Sequence, residues 1–250
     1  MRVVPTLLHK SWGLVKGVRF DSRRAVGSPM QAVRVYNLRN VDELVFLDVV
    51  ATAEQRGPDL ALVDELADEC FMPLAVGGGI RTVDDVHALL AVGADKVVIG
   101  SAAVERPEVV HEAAQRFGSQ CVVVSIDTRH TGAGGSAEVW VRSGTVPTGR
   151  DPVRTAQEME HLGAGEILLQ SIDHDGVMEG YELDTIAAVT AAVSIPVVAS
   201  GGAGTFAHML DAVEVAGASA VAAASMFHFT EQTPMEAKQH LAAGGVPVRM

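Results

Sequence analysis

Residues 72–104, MPLAVGGGIRTVDDVHALLAVGADKVVIGSAAV, and residues 195–227, IPVVASGGAGTFAHMLDAVEVAGASAVAAASMF, carry one pattern twice. Pro73 answers to Pro196, Gly78-Gly79 to Gly201-Gly202, and Gly93-Ala94 to Gly217-Ala218. Each copy reads as an apolar run, a glycine turn, an amphipathic helix, a Gly-Ala turn and a second apolar run. The echo continues upstream, where DELVFLD (42–48) matches GEILLQS (165–171). Self-similarity with a period of about half the chain marks a duplicated supersecondary block. The block here is four βα units, so two half-barrels are expected, about 1–119 and 120–250, closed into one domain over 1–250.

The length suits that reading, because an eight-fold βα barrel runs to roughly 250 residues. With 48% hydrophobic residues the chain can bury a large core. Its net charge of −12 leaves no basic stripe to neutralise nucleic-acid phosphates. Small phosphorylated ligands stay open, since backbone amides at helix N-termini hold them without side-chain charge. Cys70 and Cys121 read as buried free thiols, which fits a reducing, cytoplasmic compartment. The N-terminal MRVVPTLLHK has too short an apolar core for a signal peptide, and the apolar stretch Ile186–Ala199 is too short to span a bilayer. A soluble protein without membrane or nucleic-acid partners is expected.

Along the chain, Arg2–Leu8 is a β-rich run, then a turn, then Leu14–Phe20. The polar, glycine-containing segment 21–29, DSRRAVGSP, reads as a mobile loop whose make-up suits a lid. Met30–Asn40 and 59–70 have helical spacing, while Leu44–Val49 is a continuous apolar run, as in a strand covered on both faces. Strand 74–76, helix 83–91, strand 96–99 and helix 107–117 complete the first half. The second half repeats the order, with strands at 121–126, 166–170, 197–199 and 219–224, and a last helix near 233–243. An irregular insertion, 128–150, has an HTGAGGS core that reads as a hairpin tip. Strict βα alternation fits an open doubly wound sheet or a closed barrel, and the two-fold repeat with eight strands favours the (β/α)8 TIM barrel.

In such a barrel the site lies at the C-terminal strand ends. Two matched sets of small residues fall there: Gly78, Gly79, Gly100 and Ser101 in one half, and Ser200, Gly201, Gly202, Ala224 and Ser225 in the other. Either these make tight strand-to-helix turns, or they let ligand oxygens approach backbone N–H groups, giving a phosphate site on each side of the mouth. Asp127, after the apolar VVVSI, is the sharpest acid/base candidate, because poor solvation tunes a carboxyl pKa. Asp175-Gly176 fits either a turn or a ligand contact, and Asp48 either orients a substrate hydroxyl or holds Lys16.

The segments FLDVVAT, AVGGGIR, GADKVVIGSAAVERP, FGSQCVVVSID, GAGEILLQSIDHDG, ASGGAG and AAASMFHF closely resemble the cyclase subunit of imidazole glycerol phosphate synthase, over about residues 2–248. The resemblance implies a two-phosphate substrate and a glutaminase docked on the N-terminal face of the barrel; no cofactor is expected, and no metal, since no close His/Cys/Asp spacing supports one. Ammonia made there passes through the barrel to the mouth. Two aspartates do the acid/base work in that family; Asp127 matches one, and the other falls on Leu8 when the chains are aligned on Val15-Lys16-Gly17. Asp127 and Lys16 are thus the candidate catalytic residues, with a lost carboxylate at Leu8. His9, next in line, is expected to face the other side of its strand. The family's ammonia gate matches Arg2, Glu43, Lys96 and Glu166, and its glutaminase contacts match Asp95 and Gln120. The strand-one stretch RVVPTLLHKSWGLVKGVRF is similar to cyclase-like proteins linked to sugar amidation in surface-polysaccharide synthesis.

Three functions follow as expectations: an ammonia-conducting synthase subunit with a changed cyclase site, the ordinary cyclase of histidine biosynthesis, or a non-catalytic bisphosphate-binding activator of a glutaminase. His9, His130 and His174 are placed at the mouth, as replacement acid/base groups or as loop histidines that hold an anionic ligand.

Overall fold

The computed structural model describes residues 1–132 and 135–250, with Ser22 described by its backbone alone. The first half runs β1 (Arg2–Lys10), β2 (Gly13–Val18), β3 (Asp21–Gly27), α1 (Pro29–Leu38), β4 (Leu44–Asp48), α2 (Leu60–Glu69), β5 (Leu74–Gly77), α3 (Val83–Ala91), β6 (Lys96–Ile99), α4 (Ser101–Glu105) and α5 (Glu108–Phe117). The second half runs β7 (Val122–His130), β8 (Ala137–Val141), β9 (Val146–Pro147), α6 (Pro152–His161), β10 (Glu166–Ser171), α7 (Leu183–Ala192), β11 (Val197–Ser200), α8 (Phe206–Glu214), β12 (Ala220–Ala223), α9 (Ser225–Phe229) and α10 (Pro234–Ala243).

Strands β1, β4, β5, β6, β7, β10, β11 and β12 pair in that order, all parallel, and β12 pairs back to β1. This is a closed (β/α)8 TIM barrel, with four strands from each half of the chain. Side-chain alternation sorts every strand into two cores. Val4, Val45, Ala75, Val98, Val123, Leu168, Val198, Ala220 and Ala222 fill the barrel interior. Their neighbours, such as Val3, Leu7, Leu44, Val76, Val97 and Ile167, pack outward under the helices. Each fully buried side chain of this size contributes about 1.5–3 kcal/mol. The strands look uniformly apolar in sequence because both faces are buried.

The duplication reaches the helix caps. Thr82 opens α3 with φ −136° and ψ 162°, and its side chain accepts a bond from Asp85 N–H. Thr205 opens α8 with φ −138° and ψ 162° and accepts from His208 N–H. The Asp85 carboxylate in turn accepts from Thr82 N–H, completing a capping box that His208 does not provide in the second copy.

Three sequence expectations are corrected. Segment 21–29 is not a loop: residues 21–27 form β3, antiparallel to β2 with Lys16 opposite Arg24, and Arg19 and Phe20 turn the hairpin at positive φ. Backbone pairing overrides the polar composition there. Strand β1 continues past Leu8 to pair with β2, and β7 continues past Asp127 to pair with β8. The expected hairpin tip in 130–136 includes Ala133 and Gly134, which lie outside the described residues. Among the described residues no helix is long and apolar enough to cross a membrane.

Candidate active site at the barrel mouth

One cavity opens at the C-terminal ends of the barrel strands. Its floor is the apolar interior layer, represented by Val98, Leu168 and Ala222. Above that floor the inward positions turn polar: Thr6 on β1, Ser125 and Asp127 on β7, Gln170 on β10 and Ser200 on β11. Leu8 and Leu47 are the apolar exceptions at this level.

Asp127 accepts a hydrogen bond from Ser125 Oγ at 3.2 Å. Burial, reinforced by the nearby charge of Asp175, pushes its carboxyl up to about 7 despite the Ser125 bond. Such a group holds or releases a proton near neutrality, as acid/base chemistry requires. Lys16 is fully buried, and its Nζ donates to Asp175 Oδ1 at 2.5 Å. Gln170 Nε2 donates to the same oxygen at 3.4 Å, and Ser200 Oγ donates to Gln170 Oε1. Strands β2, β10 and β11 and the turn after β10 therefore meet in one polar network.

Asp48 does not hold Lys16. Its Oδ2 lies 2.6 Å from Arg56 Nη2, and its Oδ1 accepts from Val50 and Ala51 N–H at 3.1 and 3.0 Å. Burial opposes ionisation, but the contacts with Arg56 and Val50 N–H, with His9 Nδ1 3.9 Å away, outweigh it and keep this carboxyl below its usual range. Lys16 is drawn instead to Asp175, because the β2–β3 hairpin folds toward the turn after β10, where Arg19 N–H donates to Asp175 O at 2.7 Å.

The two glycine sets line opposite sides of the cavity, at β5–β6 and at β11–β12. Gly78 and Gly202 have φ of 109° and 113°, and a Cβ there would lie 2.3 Å from Asp48 O and 1.9 Å from Gly180 O. The turns alone require those glycines. Gly100 differs: a Cβ there would meet nothing within 4 Å, so its free space belongs to the cavity. Ser101 Oγ accepts from Arg142 N–H at 2.8 Å, so the β8–β9 turn covers the first set. Among the described residues Ser225 Oγ has no partner in the second. Gly79, Gly176 and Gly201 (φ 74°, 74° and 88°), together with Ala224, also line the cavity.

The histidines are not at the cavity wall. His9 faces away from Leu8 and packs against Phe46, with ring centroids 5.4 Å apart and the planes tilted by 31°. His130 Nδ1 donates to Gly135 O at 2.8 Å, and His174 Nδ1 lies 2.9 Å from Ser171 Oγ. Leu8, by contrast, lines the cavity together with Asp127.

Residues 2–233 match the histidine biosynthesis protein family, a span that takes in all eight barrel strands and the whole mouth. The chain belongs to that family. It includes the cyclase of imidazole glycerol phosphate synthase and related barrels.

At the other end of this histidine biosynthesis family barrel, Arg2, Glu43, Lys96 and Glu166 form a closed ring. Arg2 pairs with both glutamates, and Lys96 Nζ lies 2.8 Å from Glu43 Oε2 and 2.9 Å from Glu166 Oε2. Burial acts against the Glu166 charge, but Arg2 and Lys96 together hold its carboxyl below the usual range. Asp42, beside Glu43, accepts from the buried Lys238 of α10 at 2.8 Å and from Val3 N–H at 2.9 Å. Asp95 and Gln120 are exposed just before β6 and β7; Asp95 accepts from Leu74 N–H at 2.8 Å, and Gln120 Nε2 donates to Phe117 O at 3.1 Å.

Several residues at both ends escaped the sequence reading. Leu38 and Phe71, 89% and 84% exposed, precede β4 and β5 on the ring side. Thr6 and Gln170, inside the strand-one stretch and the GEILLQS repeat, reach the mouth together with Arg23 and Arg56, which lie in no motif. Period-two alternation flags Thr6 and Gln170 as inward. Nothing local flags Arg23, which depends on the hairpin fold.

Proposed function

We propose that this barrel is the ammonia-accepting synthase subunit of a glutamine amidotransferase complex, with an altered cyclase site that serves amidation of a sugar. The observation that carries this reading is Leu8 lining the mouth on β1, across the barrel from Asp127 on β7. A two-carboxylate cyclisation needs proton transfer at both places, and leucine transfers none. Asp127 supplies one acid/base group, and the Lys16–Asp175 pair orients the ligand between the two small-residue sets, each of which takes a phosphate.

The ammonia route is supported by the opposite end. The Arg2, Glu43, Lys96 and Glu166 ring gates the barrel, and the apolar layer above it favours neutral ammonia over ammonium, whose desolvation is costly. Asp95 and Gln120, with the exposed Leu38 and Phe71 on the same face, suit the docking of a glutaminase.

The test is turnover by the purified chain with an ammonium salt and the bisphosphate substrate of the histidine cyclase. The expected result is binding without turnover, and a gain of turnover in Leu8→Asp. Ordinary enzyme turnover by the unaltered chain identifies a histidine-pathway cyclase and overturns the proposal. Glutaminase stimulation by the bound bisphosphate, with no product from any sugar acceptor, identifies a non-catalytic activator instead.

A further inference from the structure

The charges around the cavity do not all cancel. Asp48 is matched by Arg56, and Asp175 by Lys16 at 2.5 Å. Leu8 contributes no charge, and burial raises the Asp127 carboxyl to about 7. That leaves Arg23, on β3, which lines the cavity and is half-buried. Its neighbour Arg24 turns the other way and stacks its guanidinium 3.8 Å from the centre of the Phe229 ring, anchoring the hairpin to α9. Arg23 has no ion pair or hydrogen bond among the described residues; the carboxylates whose charge acts on it are Asp175, already held by Lys16, and Asp21. A guanidinium drawn out of water and left unmatched is costly, and a planar anion on the ligand relieves that cost.

We propose that Arg23 is a specificity-determining residue, pairing with a carboxylate of the ligand, so that the mouth selects a phosphorylated sugar acid over a neutral sugar phosphate. The small-residue loops hold phosphate, and Leu8, lacking a charge, does not repel the carboxylate. This rests on reading the mouth as the substrate site and is independent of the reaction carried out there.

Calorimetric titration of the full chain tests it with three probes: glucuronic acid 1-phosphate, glucose 1-phosphate and inorganic phosphate. The sugar acid is expected to bind about tenfold tighter than its neutral counterpart, the scale of one charge-assisted contact at a half-buried site. Arg23→Gln should bring the two sugars within about twofold of each other, and Arg23→Lys should keep part of the preference. Equal binding of the two sugars by the unaltered chain, or no binding of the sugar acid, overturns the proposal without any variant. An equal loss of both sugars and phosphate in Arg23→Gln also overturns it, since Arg23 would then be a phosphate ligand. Cyclase turnover, measured separately, bears on the proposed function and not on this preference.

Discussion

At the scale of single residues the mouth is governed by what burial does to a carboxyl. Asp127 sits at the top of the strand whose buried run is Val122, Val123 and Val124, and few groups there solvate its charge. Its folded pKa of about 7 lies above the ordinary value of 3.8, so the folded state keeps a proton that the unfolded chain releases. The stability linked to that proton is fully present below about pH 4 and is lost as pH rises to about 7. Asp127→Asn should therefore match the unaltered chain in chemical denaturation at pH 4. At pH 8 it should be more stable by about 2 kcal/mol, less than the full shift implies because part of the site is wet. Equal stability of the two proteins at pH 8 would sink this account of the carboxyl.

At the scale of elements, a glycine demanded by a turn is distinct from one that leaves room for a ligand. Gly202 carries φ 113° and would drive a Cβ into Gly180 O, so Gly202→Ala should lower the melting temperature by about 10 °C, from a cost of about 3 kcal/mol. Gly100 faces open space, and Ala224 already occupies its counterpart position in the second copy, at φ −125° and ψ −67°. Gly100→Ala should leave the melting temperature within about 2 °C while weakening phosphate binding measurably. An equal thermal loss in both variants would mean that the two glycines are alike in function. The β2–β3 hairpin is the element that sequence composition misread: its polar residues signalled a loop, but its ladder is backbone to backbone and indifferent to side-chain polarity.

At the scale of the whole molecule the barrel is a column of layers: charged ring, apolar plug, polar mouth. The ring joins β1, β6, β10 and the residue before β4, so it ties the two halves of the chain together at one point. Lys96→Ala leaves Glu43 and Glu166 to share Arg2 alone. On the gate role proposed above, that variant in complex with a glutaminase should lower the ratio of glutamine-driven to free-ammonia-driven product severalfold. An unchanged ratio would assign the ring a structural role only.

The sequence by itself determined the barrel. Its half-length repeat and its strands apolar on both faces agree with one another, so they could be read without knowing what touches what. It also set His9 on the face of its strand opposite Leu8, since alternation along a strand is a backbone property. Only the tertiary structure decided the partners. Lys16 goes to Asp175, 159 residues away, and Asp48 to Arg56, because a charge pairs with whatever the fold brings within reach. Arg23 reaches the cavity for the same reason: a hairpin between two barrel strands folds over the mouth and turns one of two adjacent arginines inward.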